Sequence, residues 1–203
     1  MRADLNRIRE WIKPNSRVLD LGCGDGTLLD NLQKTRFVQG YGLEIDHTKI
    51  TQCIQKKVAV IQADLNKGLQ QYFADNSFDY VVMSQTLQAT RRPDLLINEM
   101  LRVGKEAIVT FPNHAHWKNR FSLGVRGKMP VTRTLPYQWY DTPNTHLCTL
   151  KDFEVLCKNQ DIHLVKREVV DYSHEQSRLM QYLPNLFGEV AIYHLTKKSL
   201  DTA

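Results

Sequence analysis

Apolar residues at Leu5, Ile8, Trp11 and Ile12 recur at helical spacing, and Pro14-Asn15-Ser16 breaks the run before Arg17-Val18-Leu19-Asp20-Leu21 opens a stretch of strand type. The same alternation continues along the chain. Residues 27–34 read as helix, 38–43 as strand, 46–56 as helix with Asp46 as its N-cap, 58–61 as strand and 78–83 as a buried strand. Pro93 opens a helix through Leu96, Ile97, Met100 and Leu101, Gly104 is its expected C′ residue, and 107–111 returns to strand. Strand and helix in this order force parallel strands joined by right-handed crossovers, hence a sheet covered on both faces. From Pro112 the periodicity stops for nearly forty residues, a length at which a loop usually has a task. It resumes with Thr149 as an N-cap candidate before a helix carrying Phe153, Leu156 and Cys157, then a strand over 162–170 and a last strand near 190–195.

The chain has 203 residues, 42% hydrophobic and 24% charged, which suits one domain with one core over 1–203 and excludes a disordered chain or a disulfide-stapled miniprotein. No apolar run approaches the ~20 residues of a membrane span. The opening residues have no signal-peptide pattern either, so a cytoplasmic location is expected. Cys23, Cys53, Cys148 and Cys157 show no paired spacing and read as reduced thiols. The net charge of +5 is local: residues 112–150 hold Lys118, Arg120, Arg126, Lys128 and Arg133 against Asp141 alone, and the remainder is nearly neutral.

The main chemical signal is Asp20-Leu21-Gly22-Cys23-Gly24-Asp25-Gly26-Thr27, a strand running into glycines at alternate positions and then a helix. Glycines there let backbone approach a ligand closely. A dinucleotide fingerprint needs its third glycine at Thr27 and a P-loop needs a Gly-Lys-Ser/Thr ending, so neither phosphate loop fits. Asp20 would repel phosphates and attract an ammonium group. Glu44 closes the second strand about twenty residues later, where a carboxylate can accept from ribose hydroxyls, and Asp64 with Leu65 closes the third, a pair suited to adenine. Each acid also has a plain alternative: Asp20 as a loop-ordering acceptor, Glu44 as a solvated strand end, Asp64 as a helix cap.

These residues resemble the cofactor motif of the class I S-adenosylmethionine-dependent methyltransferase fold. The resemblance implies a Rossmann-like α/β architecture, a seven-stranded, mostly parallel sheet with helices on both faces and an antiparallel last strand. It also implies S-adenosylmethionine or S-adenosylhomocysteine as ligand. Asp20, Gly22, Cys23, Gly24 and Gly26 would line its methionine part, Glu44 with its neighbour Ile45 the ribose, Asp64 and Leu65 the adenine, and Ser84 to Leu87 the wall under the sulfonium. The acceptor side is less telling. Ser84-Gln85-Thr86-Leu87-Gln88 lacks an Asn/Asp-Pro-Pro-Tyr motif and any side chain able to take a proton near neutral pH, although Gln88 could orient an acceptor. His114, His116 and His146 of the basic segment could reach the crevice as acid or base; read with Cys148 they also permit zinc, for which no fourth ligand is evident. Basic and aromatic residues together allow nucleic-acid binding, but the patch is small and no RNA-binding module accompanies it.

Phe111-Pro112-Asn113, Arg126-Gly127-Lys128-Met129-Pro130-Val131-Thr132 and the run from Leu135-Pro136-Tyr137 through Trp139-Tyr140-Asp141-Thr142-Pro143-Asn144 to His146-Leu147-Cys148-Thr149 resemble the signature of the methionine biosynthesis protein MetW family over essentially the whole chain. That resemblance implies association with, and support of, a homoserine O-acyltransferase. Residues 112–150 offer a surface for it, because Trp, Tyr and Arg are favoured at interface centres; the same aromatics could instead form a lid over a small molecule. The alternative activity is methyl transfer to a small molecule.

Overall fold

The computed structural model describes residues 2–171 and 178–197. In chain order the elements are α1 (Ala3–Trp11), β1 (Arg17–Leu21), α2 (Thr27–Arg36), β2 (Gln39–Glu44), α3 (His47–Gln55), β3 (Ala59–Gln62), β4 (Phe78–Ser84), α4 (Pro93–Val103), β5 (Gly104–Pro112), α5 (Trp117–Gly124), α6 (Leu150–Asn159), β6 (Ile162–Val170), α7 (Arg178–Tyr182), α8 (Pro184–Phe187) and β7 (Val190–Lys197). The seven strands form one sheet in the order β3-β2-β1-β4-β5-β7-β6. β1 to β5 pair in parallel, and β7 runs antiparallel between β5 and β6. This is the seven-stranded, mostly parallel architecture with an antiparallel last strand that the resemblance to the class I methyltransferase fold implies.

Residue alternation divides the core between the two faces of the sheet. Val18, Tyr80, Val82, Ile108 and Ile192 pack under α1, α2 and α3 with Ile8, Ile12, Leu29 and Cys53. Their neighbours Leu19, Val81, Met83, Val109 and Tyr193 pack under α4 and α6 with Ile97, Met100 and Phe153. Strands buried on both faces explain why 78–83 reads as an unbroken apolar run. Strand order reverses between β1 and β4, both of which point their C-terminal ends at the same edge, and such a switch point opens a ligand crevice.

Asp46 caps α3 as anticipated, its Oδ1 accepting from the backbone N–H of Thr48 at 2.8 Å and of Lys49 at 3.4 Å. Thr149 and Asp152 form a capping box at the start of α6. Gly104 differs from expectation. It takes an extended φ of −111° and opens β5 directly instead of ending α4 as a left-handed C′ residue. Glycine is required there by close approach, since a Cβ would sit 2.6 Å from Val81 Cγ2. The segment after Pro112 also differs, because α5 lies within it. Its Trp117, Phe121 and Leu123 are exposed and only Asn119 is buried, so α5 has no apolar stripe for a periodicity to register. Polar contacts hold it: Asn119 Nδ2 donates to the Asn113 carbonyl at 3.2 Å and Arg120 Nε to the Ala115 carbonyl at 2.6 Å.

Candidate functional site

A cavity of about 920 Å³ opens at the C-terminal ends of β1 and β4, within the size range of small-molecule sites. The glycine loop forms one wall through Asp20, Gly22, Cys23 and Gly24; Ser84, Gln85 and Thr86 form another; Arg2, Asp4 and Leu5 of the N-terminal segment close a side. Part of the basic segment roofs it, with Arg133, Thr134, Pro136, Tyr137, Pro143 and Asn144 facing the same space. The inner side of this segment is the one that the lid alternative would use. Its outer side exposes Trp139 and Tyr140 at 73% and 71%.

The loop geometry depends on glycine at two points. Gly22 has φ +72° and a Cβ there would lie 2.7 Å from Thr86 Cγ2 and Oγ1, so the loop and the end of β4 touch. Gly24 has φ +56° with nothing within 4 Å of a Cβ position, which leaves its backbone open to a ligand. Behind the loop, Cys23 and Cys53 place their sulfurs 3.8 Å apart, and Cys53 Sγ donates to the Gly24 carbonyl at 3.1 Å. Burial pushes both thiols up, so they are packing groups and not nucleophiles.

Asp20 is 3% exposed and its Oδ1 has no hydrogen-bond partner. A carboxylate oxygen left so in a cavity wall is a costly feature that a cationic ligand group would repair. Burial pushes this carboxyl up to about 7, with the charge of Arg2 pulling it down and that of Glu44 pushing it up. Asp25 behaves oppositely. Although partial burial works against its charge, hydrogen bonds from Lys56 and Thr27 hold it at about 2. Asp4 is buried, and its Oδ2 accepts from Ser84 Oγ at 3.0 Å, Gln85 Nε2 at 3.1 Å and Thr110 Oγ1 at 3.0 Å. Gln85 sits at φ +55°, a left-handed conformation in a non-glycine residue beside the site.

Of the residues singled out in the sequence, Asp20, Gly22, Cys23, Gly24 and Ser84 come together around the cavity, whereas Gly26, Glu44, Ile45, Asp64, Leu65 and Leu87 are not part of its wall. Glu44 is nonetheless joined to it. It is buried, its Oε2 accepting from Gly24 N at 2.8 Å and its Oε1 from Ile45 N at 2.9 Å and Asp46 N at 3.1 Å. It thus orders the loop, and is not a solvated strand end. Asp64 caps the turn that follows it through Asn66 N at 2.9 Å, Leu65 is half-buried against the core, and Leu87 is buried within it. Gly26 has φ +76° at the N-cap of α2.

The proton-transfer candidates do not meet the cavity. His114 and His116 are driven down by burial, and His146 lies along the Arg91 carbonyl at 3.2 Å. Among the described residues no histidine lines the wall. Gln88 is buried, its Nε2 directed at the Pro112 carbonyl at 3.2 Å, while its backbone carbonyl accepts from Thr145 N at 2.9 Å and His146 N at 3.1 Å. It anchors the roof and does not face an acceptor. Among the described residues no three His, Cys, Asp or Glu side chains are grouped to hold a metal ion, and no helix is long and apolar enough to cross a membrane. Sequence reasoning missed Arg2 and Asp4 as wall residues. The available signal was spacing: Asp4, Ile8 and Ile12 fall four apart on one helical face, which buries the carboxylate with the isoleucines.

Two kinds of similarity bear on this site. An S-adenosylmethionine-dependent methyltransferase from Archaeoglobus fulgidus superposes with a TM-score of 0.69 at 19% identity, over 96% of this chain and 92% of that one. The phosphoethanolamine N-methyltransferase 2 of Haemonchus contortus, in complex with S-adenosyl-L-methionine, gives 0.68 at 15% identity over 96% of this chain and 52% of that one. At such identities the likeness is one of fold. In sequence, a Rhodopirellula baltica protein described as bifunctional methionine biosynthesis protein MetXA/MetW is 32% identical over 201 residues, 95% of this chain and 32% of that protein. The chain thus spans about a third of that relative's length. Residues 2–195 match the family model described as methionine biosynthesis protein MetW, and with nearly the whole chain matched, this protein belongs to the MetW family.

Proposed function

We propose that this chain is a cytoplasmic accessory protein of methionine biosynthesis, one methyltransferase-like domain that binds S-adenosylmethionine or S-adenosylhomocysteine and associates with and supports a homoserine O-acyltransferase. The observation that carries the ligand half is Asp20, a buried carboxylate with an unpartnered oxygen in the wall of a cavity beside the open face of Gly24. An ammonium group suits that position, and Glu44, bonded to Gly24 N from the end of β2, stands next to it for a ribose. On this reading Asp64 and Leu65, which follow β3, would take the adenine.

The accessory half is supported by two facts. In the Rhodopirellula baltica relative one chain carries both MetXA and MetW in its name. On the acceptor side, Ser84 and Gln85 direct their side chains to Asp4, and His114, His116 and His146, the bases that the sequence offers, are not part of the cavity wall. The outer side of residues 112–150 supplies the docking surface: Trp117, Phe121, Trp139 and Tyr140 are exposed, and Arg126 stacks over Phe121 at 5.5 Å.

The test is homoserine acylation by the acyltransferase of the same organism, measured with and without this protein while following S-adenosylhomocysteine release. Stimulation without cofactor turnover is the expected result. No stimulation, with cofactor consumed in a metabolite extract, would replace this reading with methyl transfer to a small molecule.

A further inference from the structure

The five cations of residues 112–150 separate by what they touch. Arg120 is engaged by backbone, its Nε donating to the Ala115 carbonyl, and Arg133 faces the cavity. Lys118, Arg126 and Lys128 are exposed, on the same short stretch as the exposed Trp117, Phe121, Leu123 and Val125. α5 covers none of these apolar groups, because the side chain it buries is Asn119. Two of the cations sit on the aromatic rings: the Arg126 guanidinium lies 5.5 Å from the Phe121 ring centre, and Lys118 Nζ lies 5.8 Å from that of Trp117. A guanidinium over a ring keeps its in-plane N–H donors available to a carboxylate. Glu189, 3.5 Å from Lys118 Nζ, offsets one of these charges, but the sequence has no acid between Glu106 and Asp141. Contiguous apolar surface left uncovered marks an interaction site, and the unbalanced charge set into it specifies the sign of what covers it.

We infer that α5 and the chain that follows it through Lys128 dock an acidic patch with an apolar centre on a partner protein, which on the reading above is the acyltransferase. This deepens that reading and rests on it. Trp117, Phe121 and Val125 supply the desolvated centre, and Lys118, Arg126 and Lys128 meet carboxylates around it. Charges so placed act chiefly before contact, by steering the encounter, whereas the apolar centre sets how long the complex lasts. A protein fits this surface better than a lipid bilayer does. A helix lying on a membrane turns one apolar face to it, whereas α5 has eight residues and exposes Leu123 on a different side from Trp117 and Phe121.

The experiment follows association of the full chain with the acyltransferase of the same organism by surface plasmon resonance across a range of salt concentrations. The association rate constant of the unaltered protein is expected to fall about tenfold or more between roughly 20 mM and roughly 500 mM salt, and that of the combined variant Lys118→Gln, Arg126→Gln, Lys128→Gln by less than about threefold. Trp117→Ala is expected to raise the dissociation rate about tenfold and to leave the association rate within about twofold. An equal salt dependence in the unaltered protein and the triple variant, or unchanged dissociation in Trp117→Ala, would overturn the inference and leave the association itself standing. Binding of the unaltered protein to phosphatidylglycerol vesicles, lost in a triple variant that keeps its grip on the acyltransferase, would also overturn it, since the surface would then face lipid. If the unaltered protein does not bind the acyltransferase at any salt concentration, the accessory reading itself fails and this one with it. The three cations are exposed, and matching thermal midpoints verify that the variants retain the fold.

Discussion

Replacing Asp20 with asparagine should make the ligand-free protein more stable and the ligand bind less tightly. In the folded chain burial lifts the Asp20 carboxyl from 3.8 to about 7, so between about pH 4 and 7 the native state holds a proton that the unfolded chain has released. A raised carboxyl pKa confers stability that is full below about pH 4 and is lost as the pH rises through about 7. Each pH unit inside that window changes stability by about 1.4 kcal/mol, so going from pH 5 to pH 8 removes roughly 3 kcal/mol attributable to this one group. Asparagine has no such titration. The stability of Asp20→Asn relative to the parent should therefore rise by roughly 3 kcal/mol over that interval, equivalent to about 6–12 °C in thermal midpoint for a chain of this size. Urea unfolding of both proteins at pH 5, 6, 7 and 8 measures it, and the difference between the two curves cancels the titrating groups that do not interact with Asp20. A difference that stays flat with pH would refute the assignment of a desolvated carboxyl at this position. With S-adenosylhomocysteine present at saturation the advantage of the variant should shrink by about 1.4 kcal/mol or more, because the ammonium that compensates Asp20 has nothing to pair with in the variant, at a cost of about tenfold or more in affinity.

Gly22→Ala should destabilise the fold by about 2 kcal/mol or more, from a strained left-handed alanine and a clash with Thr86, and Thr86→Ala in the same chain should return part of that loss in chemical denaturation. Gly24→Ala, with open space around its Cβ, should cost only about 1 kcal/mol of stability yet lose ligand affinity in calorimetry. Alanine at both Arg126 and Trp139 should weaken association with the acyltransferase by about tenfold or more without shifting the thermal midpoint; unchanged affinity in surface plasmon resonance would remove residues 112–150 as the docking surface. Thr149→Ala should cost about 1 kcal/mol through loss of the α6 capping box, visible as a lower denaturation midpoint with ligand affinity intact.

How far the chain can be read without its structure depends on which contacts carry the information. β1, β4 and β5 are buried on both faces over most of their length, so their apolar runs are local signals, and Asp46 and Thr149 announce their helices because a cap is a short-range bond. α5 gives no such signal, being held by the Asn113 carbonyl and neighbouring backbone and not by an apolar stripe. The short α7 and α8 are below the length at which a period of 3.6 can be recognised. At the site, Asp20 and the glycines are legible because their spacing is itself the chemistry. Arg2 and Asp4 are not, since their partners Ser84 and Thr110 lie 82 and 106 residues away and only the folded sheet brings them together.

The roof of the cavity has two customers on one short stretch of backbone. Tyr137 faces inward, and Trp139 and Tyr140, two and three residues later, face solvent. Anchorage is mainly at the ends, through Gln88 to Thr145 and His146 and through Asn113 to Ala115 and the β7 side. Thermodynamic linkage is symmetric for such an arrangement: by whatever factor an occupied cavity alters the grip of a protein on Trp139 and Tyr140, that protein alters the hold of the cavity on its ligand by the same factor. A docked subunit would then be felt as a change in the half-saturation concentration of a nucleoside it never touches.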